Sequence, residues 1–192
     1  DATNMLVVPG LNDLHTHLGF EVHARVVYAD DVCPRSGVTT AVDMGSTGAF
    51  TFPWYRDRVL DKTTTRLYEF INVASLGTIS IHSPYYVQNY GRYIDVEDTV
   101  RTIKENRQHI RGIKVFASGQ MVGEWALGAV RSARQVAERV GLRVAVHISD
   151  QPPPLEPILS LLQEGDILTH SYTPHDQGIL DPRGRIKPAV RE

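Results

Sequence analysis

Two histidines separated by one residue, His15 and His17, sit in the segment Asp13-Leu14-His15-Thr16-His17, entered through Met5-Leu6-Val7-Val8 and Pro9-Gly10. Side chains on a strand alternate faces with a period of two, so both imidazoles point the same way and can share one metal ion. A chain with 8 histidines contains such a pair by chance, and the pair gains weight only from donors elsewhere. Three further candidates stand in comparable places. Lys114 lies in Gly112-Ile113-Lys114-Val115, His147 closes Val144-Ala145-Val146-His147, and His170 closes Asp166-Ile167-Leu168-Thr169-His170. Neutral imidazole suits Zn²⁺, and three or four imidazoles with oxygen donors make a catalytic rather than a structural centre.

Lys114 is the odd member of this set. An ammonium with an ordinary pKa of about 10.4 does not coordinate a cation. A lysine inside an apolar strand needs a partner carboxylate or a chemical change. Carbamylation by CO₂ would make it an anionic ligand with two oxygens, able to bridge two metal ions about 3.5–4 Å apart. Each residue alone also has a plainer reading: a structural His-x-His, a lysine on an edge strand, and histidines satisfied within a core. Their shared position at the ends of apolar runs favours the ligand reading.

The elements that must position them follow from the pattern of the chain. Apolar, β-rich runs predict strands over Leu6–His15, Thr39–Met44, Leu67–Val73, Gly112–Phe116, Leu142–Ile148 and Asp166–His170. Helical stretches fall between them. Tyr28 to Arg35 reads as the helix after the first strand, with Cys33 as a buried structural thiol. Asp95 caps a helix with Asp98 three residues on and Val96, Val100 and Ile103 on one face. A second helix runs from about Glu124 to Val140 and stops at Gly141. A third enters at Pro152-Pro153-Pro154, buries Leu155, Ile158, Leu159 and Leu162, and ends at Gly165. Such alternation implies βαβ units and a parallel sheet. Ile186 to Glu192 reads as the first turn of another helix, within which the chain stops. A (β/α)₈ barrel of ~250 residues cut after its sixth unit accounts for this better than an open sheet. In such a barrel the ends of the strands carry the chemistry.

With those residues in view, the chain resembles the amidohydrolase superfamily. The carriers are P-G-x-x-D-x-H-x-H, then Gly112-Ile113-Lys114, then His147 and His170 after successive strands. It is most similar to the dihydroorotase-like branch of cyclic-amide hydrolases and deacylases. Gly165-Asp166-Ile167-Leu168-Thr169-His170 and Gly178-Ile179-Leu180-Asp181 are similar to a subgroup of dihydroorotase-like proteins associated with acylated hydroxy or amino acids. The resemblance implies a TIM-type barrel with its first six βα units over residues 9–192, and residues 1–8 as the end of an accessory β-sandwich or entry strand. It implies two divalent metal ions, zinc by preference, with His15 and His17 on the buried one and His147 and His170 on the exposed one. A CO₂-derived carbamate on Lys114 would bridge them. The implied reaction is hydrolysis of an amide or ester bond by metal-activated water. The substrate is a cyclic amide such as a dihydroorotate-like ring, or an acylated small amino or hydroxy acid. The family's strand-8 aspartate has no counterpart in this chain; Asp13, Asp43 and Asp150 do not match its place. Two alternatives stay open: an inactive homologue serving as an assembly or regulatory subunit, and a deaminase with one metal ion.

Composition narrows the partners. A net charge of −2 offers no argument for nucleic acid, and no apolar run approaches a membrane span. A lone Cys33 and the lack of a secretion signal point to a cytoplasmic protein acting on a small molecule, expected as a homo-oligomer. Ser118, His82 and His175 are candidates for substrate contact at strand-end loops, whereas His23 and His109 are not. The run Tyr85-Tyr86…Tyr90…Tyr93 suits a pocket wall, a lid or a subunit contact. Gly45-Ser46-Thr47-Gly48 lacks the lysine of a phosphate loop and reads as a turn at the mouth of the site.

Overall fold

The computed structural model describes residues 1–19, 27–79, 81 and 83–191. His23 and His82 lie outside the described residues. Thirteen elements follow in order: β1 (Leu11–Thr16), α1 (Ala29–Val32), β2 (Val38–Asp43), α2 (Phe52–Tyr55), β3 (Arg66–Asn72), α3 (Pro84–Asn89), α4 (Val96–Glu105), β4 (Ile110–Phe116), α5 (Gly119–Val122), α6 (Ala126–Val140), β5 (Arg143–His147), α7 (Leu155–Leu159) and β6 (Ile167–Thr169). The strands form one parallel sheet in the order of the chain, β1 through β6. Each crossover therefore steps to the next neighbour in one direction, and the sheet curls into a half-barrel with the helices outside.

Two helices show why the outer layer forms. Asp95 caps α4 by accepting the N–H of Asp98 at 2.9 Å, and Val100 and Ile103 are buried on its inner face. The stripe of α6 that includes Val130, Ala133, Ala137 and Val140 is buried, and Gly141 ends the helix in the left-handed region at φ 67. Alternation then divides the sheet into two faces. Ala41, Ile71, Ile113, Val115, Val144 and Val146 pack in the main core with the helices. Val42, Phe70 and Ala145 form a separate cluster on the concave face, where Lys114 pairs with Asn72 and Ala145.

Several boundaries differ from expectation. The first strand begins at Leu11 rather than Leu6, and Met5, Leu6, Val7 and Val8 are exposed because β2 pairs with no residue before Leu11. The second long helix starts at Ala126, since Gly123 to Trp125 turn as a 3₁₀ helix. α7 is a short helix of five residues, not one reaching Gly165. Pro188 does open a helical turn, of 3₁₀ type. Cys33 is buried, and burial together with Asp13 and Asp30 pushes its thiol up. His109 is only partly exposed, with Nε2 3.7 Å from Asp61. The tyrosine run is mostly core: Tyr86 and Tyr90 are buried, and only Tyr85 projects into solvent. Among the described residues no helix is long and apolar enough to cross a membrane.

Candidate metal centre

The half-barrel brings the donors to one end of the sheet. His15 comes from β1 and His17 from the residue after it, Lys114 from β4, His147 from the end of β5 and His170 from the residue after β6. Ring centroids are 5.9 Å apart for His15 and His17, 4.8 Å for His15 and His170, and 4.3 Å for His147 and His170. The four rings form a continuous row. Phe116 closes its far end against His147 at 5.1 Å. His170 adopts φ 62, a left-handed conformation uncommon outside glycine and found most often in turns and at functional sites.

Lys114 is fully buried in the concave face. Among the described residues the one hydrogen bond of its side chain is to Thr169 Oγ1, at 3.4 Å, and no carboxylate stands within ion-pair distance. Burial lowers its pKa to about 7, against a smaller opposing effect of Asp43. Room for the lysine depends on Gly45: a Cβ there would lie 2.6 Å from Lys114 Cγ, and φ 85 itself suits glycine. The histidines are held neutral. Burial, then the charge of Lys114, lowers His15 to about 3 and His147 to about 2, and burial lowers His17 and His170 below the usual histidine range.

These properties fit a divalent cation. Neutral imidazoles offer lone pairs, and a buried amine with no ion-pair partner among the described residues is suited to becoming an anionic carbamate. As they stand, no three His, Cys, Asp or Glu side chains among the described residues close on a single point. The rings gather without closing, and the amine of Lys114 stands near enough for its charge to act on all four.

An open pocket of about 630 Å³ lies beside His147 and His170 and is also lined by Ser149, Tyr172, Thr173 and His175. His175 thus stands beside the donors, on the loop after β6. Gln177 braces that loop: its Oε1 accepts the N–H of Ser149 at 2.8 Å, and its Nε2 donates to the carbonyls of Ala117 and Pro153. Ser118 is buried, and its hydroxyl donates to Asp150 Oδ1 at 2.5 Å, joining the loops after β4 and β5.

Three buried residues stand near the candidate ligands: Asp43, weighed above only for the strand-8 role, Ser46, read as part of a turn at the mouth of the site, and Glu69, which the reading of the chain passed over. Asp43 ends β2, Glu69 pairs with it on β3, and Ser46 follows in the next turn; all three are fully buried. Burial, then the charge of Asp43, holds the Glu69 carboxyl well above the usual carboxylate range. The usable signal was Asp43 itself, an ionisable residue closing the apolar Ala41-Val42 as His147 closes Val144-Ala145-Val146.

The fold is that of a TIM-barrel amidohydrolase half. One solved structure, titled as an adenine deaminase, superposes with a TM-score of 0.87 at 26% identity, over 95% of this chain and 49% of that one. Another, titled as a dihydroorotase, gives 0.82 at 27% identity, over 88% and 53%. Among curated sequences, a deacetylase of Agrobacterium fabrum is 29% identical over 175 residues, covering 90% of this chain and 42% of its own. A deacetylase of Enterococcus faecalis is 27% identical over 176 residues, covering 91% and 46%. The chain spans less than half the length of these curated relatives. No protein-family profile matches it.

Proposed function

We propose that this chain forms the metal-holding half of an amidohydrolase that removes an acyl group from a small N- or O-acylated acid. The observation that carries the reading is the row of four neutral imidazoles near a buried lysine that, among the described residues, has no carboxylate within ion-pair distance. The deacetylases that share this chain's sequence, and the solved deaminase and dihydroorotase that share its fold, support chemistry at carbon–nitrogen bonds.

His15 and His17 would hold one divalent ion and His147 and His170 a second. With a pKa of about 7, Lys114 is about half unprotonated at neutral pH and largely so above it. Its amine lone pair would then add to the carbon of CO₂ and release one proton, giving a carbamate whose single negative charge is shared by two oxygens. The bound ions would supply Lewis acidity toward the acyl carbonyl and lower the pKa of water. The chain's remaining contribution is placement. The pocket beside His147 and His170 receives the acyl group, with Ser149, Thr173 and His175 offering polar contacts.

A panel of N-acetyl amino acids, O-acetyl hydroxy acids and small cyclic amides tests the proposal. Acetate release abolished by a chelator and restored by zinc is expected. Ammonia release from an aminopurine without acyl hydrolysis, or hydrolysis indifferent to both chelation and Lys114→Ala, would overturn it.

A further inference from the structure

Ser46 Oγ stands 2.9 Å from Nδ1 of His17, and the serine is fully buried. The Ser46 N–H donates to Asp43 Oδ1 at 2.8 Å. The other oxygen of that carboxylate accepts the N–H of Leu18, the residue after His17, also at 2.8 Å. A closed circuit results: the His17 ring to Ser46, the Ser46 backbone to Asp43, Asp43 to Leu18, and the peptide bond back to His17. One carboxylate thereby fixes the loops after β1 and β2 relative to each other.

The serine has little freedom to leave this position. Its carbonyl accepts from Thr78 N at 3.0 Å and from Thr78 Oγ1 at 3.3 Å, and the next carbonyl, of Thr47, accepts the N–H of Asn72 at 2.8 Å. Gly77 permits the approach: at φ 64, a Cβ there would lie 2.3 Å from the Ser46 carbonyl oxygen.

A neutral imidazole carries its proton on one nitrogen, and the partner of the other nitrogen decides which. We propose that Ser46, fixed by Asp43, is a positioning residue for His17: its hydroxyl accepts the Nδ1–H and leaves the Nε2 lone pair as the donor toward the centre. The purpose of this arrangement rests on His17 being a metal ligand; the arrangement itself does not. Partners of this kind fix ring orientation and tautomer, and losing one lowers metal affinity by about 10–100-fold.

Two-bond ¹H–¹⁵N correlation spectra of the full, metal-free chain labelled at histidine would read the tautomer directly, with His17 assigned by its loss in His17→Gln. The expected wild-type pattern is Nδ1–H. Ser46→Ala should shift His17 to a mixture of tautomers and weaken zinc binding about tenfold, while Ser46→Thr should restore both. Should Ser46→Ala fail to fold, Ser46→Cys carries the same expectation, because its thiol is a weak acceptor. An Nε2–H tautomer in the wild type, or an unchanged Nδ1–H in a folded Ser46→Ala or Ser46→Cys, would overturn the proposal. The predicted tautomer shift without zinc binding by any variant would support the positioning role and sink the metal reading separately.

Discussion

His15 and His170 belong to opposite edges of the sheet, at β1 and just after β6, yet their ring centroids are 4.8 Å apart. Six parallel strands laid flat would separate those edges by about 24 Å, at ~4.8 Å per strand. The contact therefore exists because the sheet curls, and the row of imidazoles is a product of that curvature. Anything that relaxes the half-barrel separates His15 from His170 before it disturbs His147, which is linked to β4 and β6 by strand pairing.

Lys114 makes stability depend on pH with a definite sign. Its pKa is about 7 in the folded chain, below the ordinary lysine value, so the unfolded chain binds the proton more tightly. Stability from this residue is fully present above the ordinary value, is lost as pH falls toward about 7, and stays lost below. In metal-free, CO₂-depleted buffer, the wild type should gain about 3 kcal/mol relative to Lys114→Met between pH 7 and pH 10. Urea unfolding at the two pH values checks this. Parallel stabilities for the two proteins would contradict a buried amine.

The left-handed backbone of His170 predicts an inverted order of substitutions. Glycine normally destabilises relative to alanine because it gains more freedom on unfolding. At φ 62 the strain that alanine's Cβ would suffer outweighs that loss, so His170→Gly should be more stable than His170→Ala by about 1 kcal/mol. Both variants lose the imidazole and should bind metal poorly. Equal or reversed stabilities in urea would show that the strain is absent.

Asp166 should be the most costly carboxylate to remove at the opposite end of the sheet from the site. Its buried side chain accepts the N–H groups of Val144 and Gln163 at 2.9 Å each, and lies 3.0 Å from Arg134 Nη1. Asp166→Ala leaves two backbone donors and a largely buried guanidinium without their acceptor. A loss of about 3–5 kcal/mol is expected from thermal or urea unfolding, with zinc binding retained at temperatures where the variant is folded.

How much of this was legible in the chain depends on range. β2, β3 and β5 fall within one residue of their predicted ends, because apolar β-branched runs bounded by turns are local signals. β1 was placed too early because Met5-Leu6-Val7-Val8 is apolar without a partner strand, and apolarity alone cannot report pairing. Likewise, Tyr86 and Tyr90 read as loop aromatics, whereas their hydroxyls donate to Gly77 and Asn72 inside the core. Lys114, His147 and His170 stood out as candidate ligands because each follows an apolar run on its own strand, whereas His15 and His17 stood out by their spacing, the run before them lying outside β1. Ser46 did not, since a serine in a glycine-rich turn acquires meaning only when Asp43 ties that turn to Leu18. The gathering of His15 and His170 is likewise long-range, set by closure of the whole sheet.

Calorimetric titration of zinc into the metal-free, CO₂-equilibrated chain, beside Lys114→Ala, tests the proposed two-metal centre most directly. The wild type should saturate at two ions per chain. Lys114→Ala should hold no more than one and regain the second when a short carboxylic acid is added in place of the missing carbamate. No saturable uptake by the wild type, or two ions bound by Lys114→Ala without the added acid, would contradict the account.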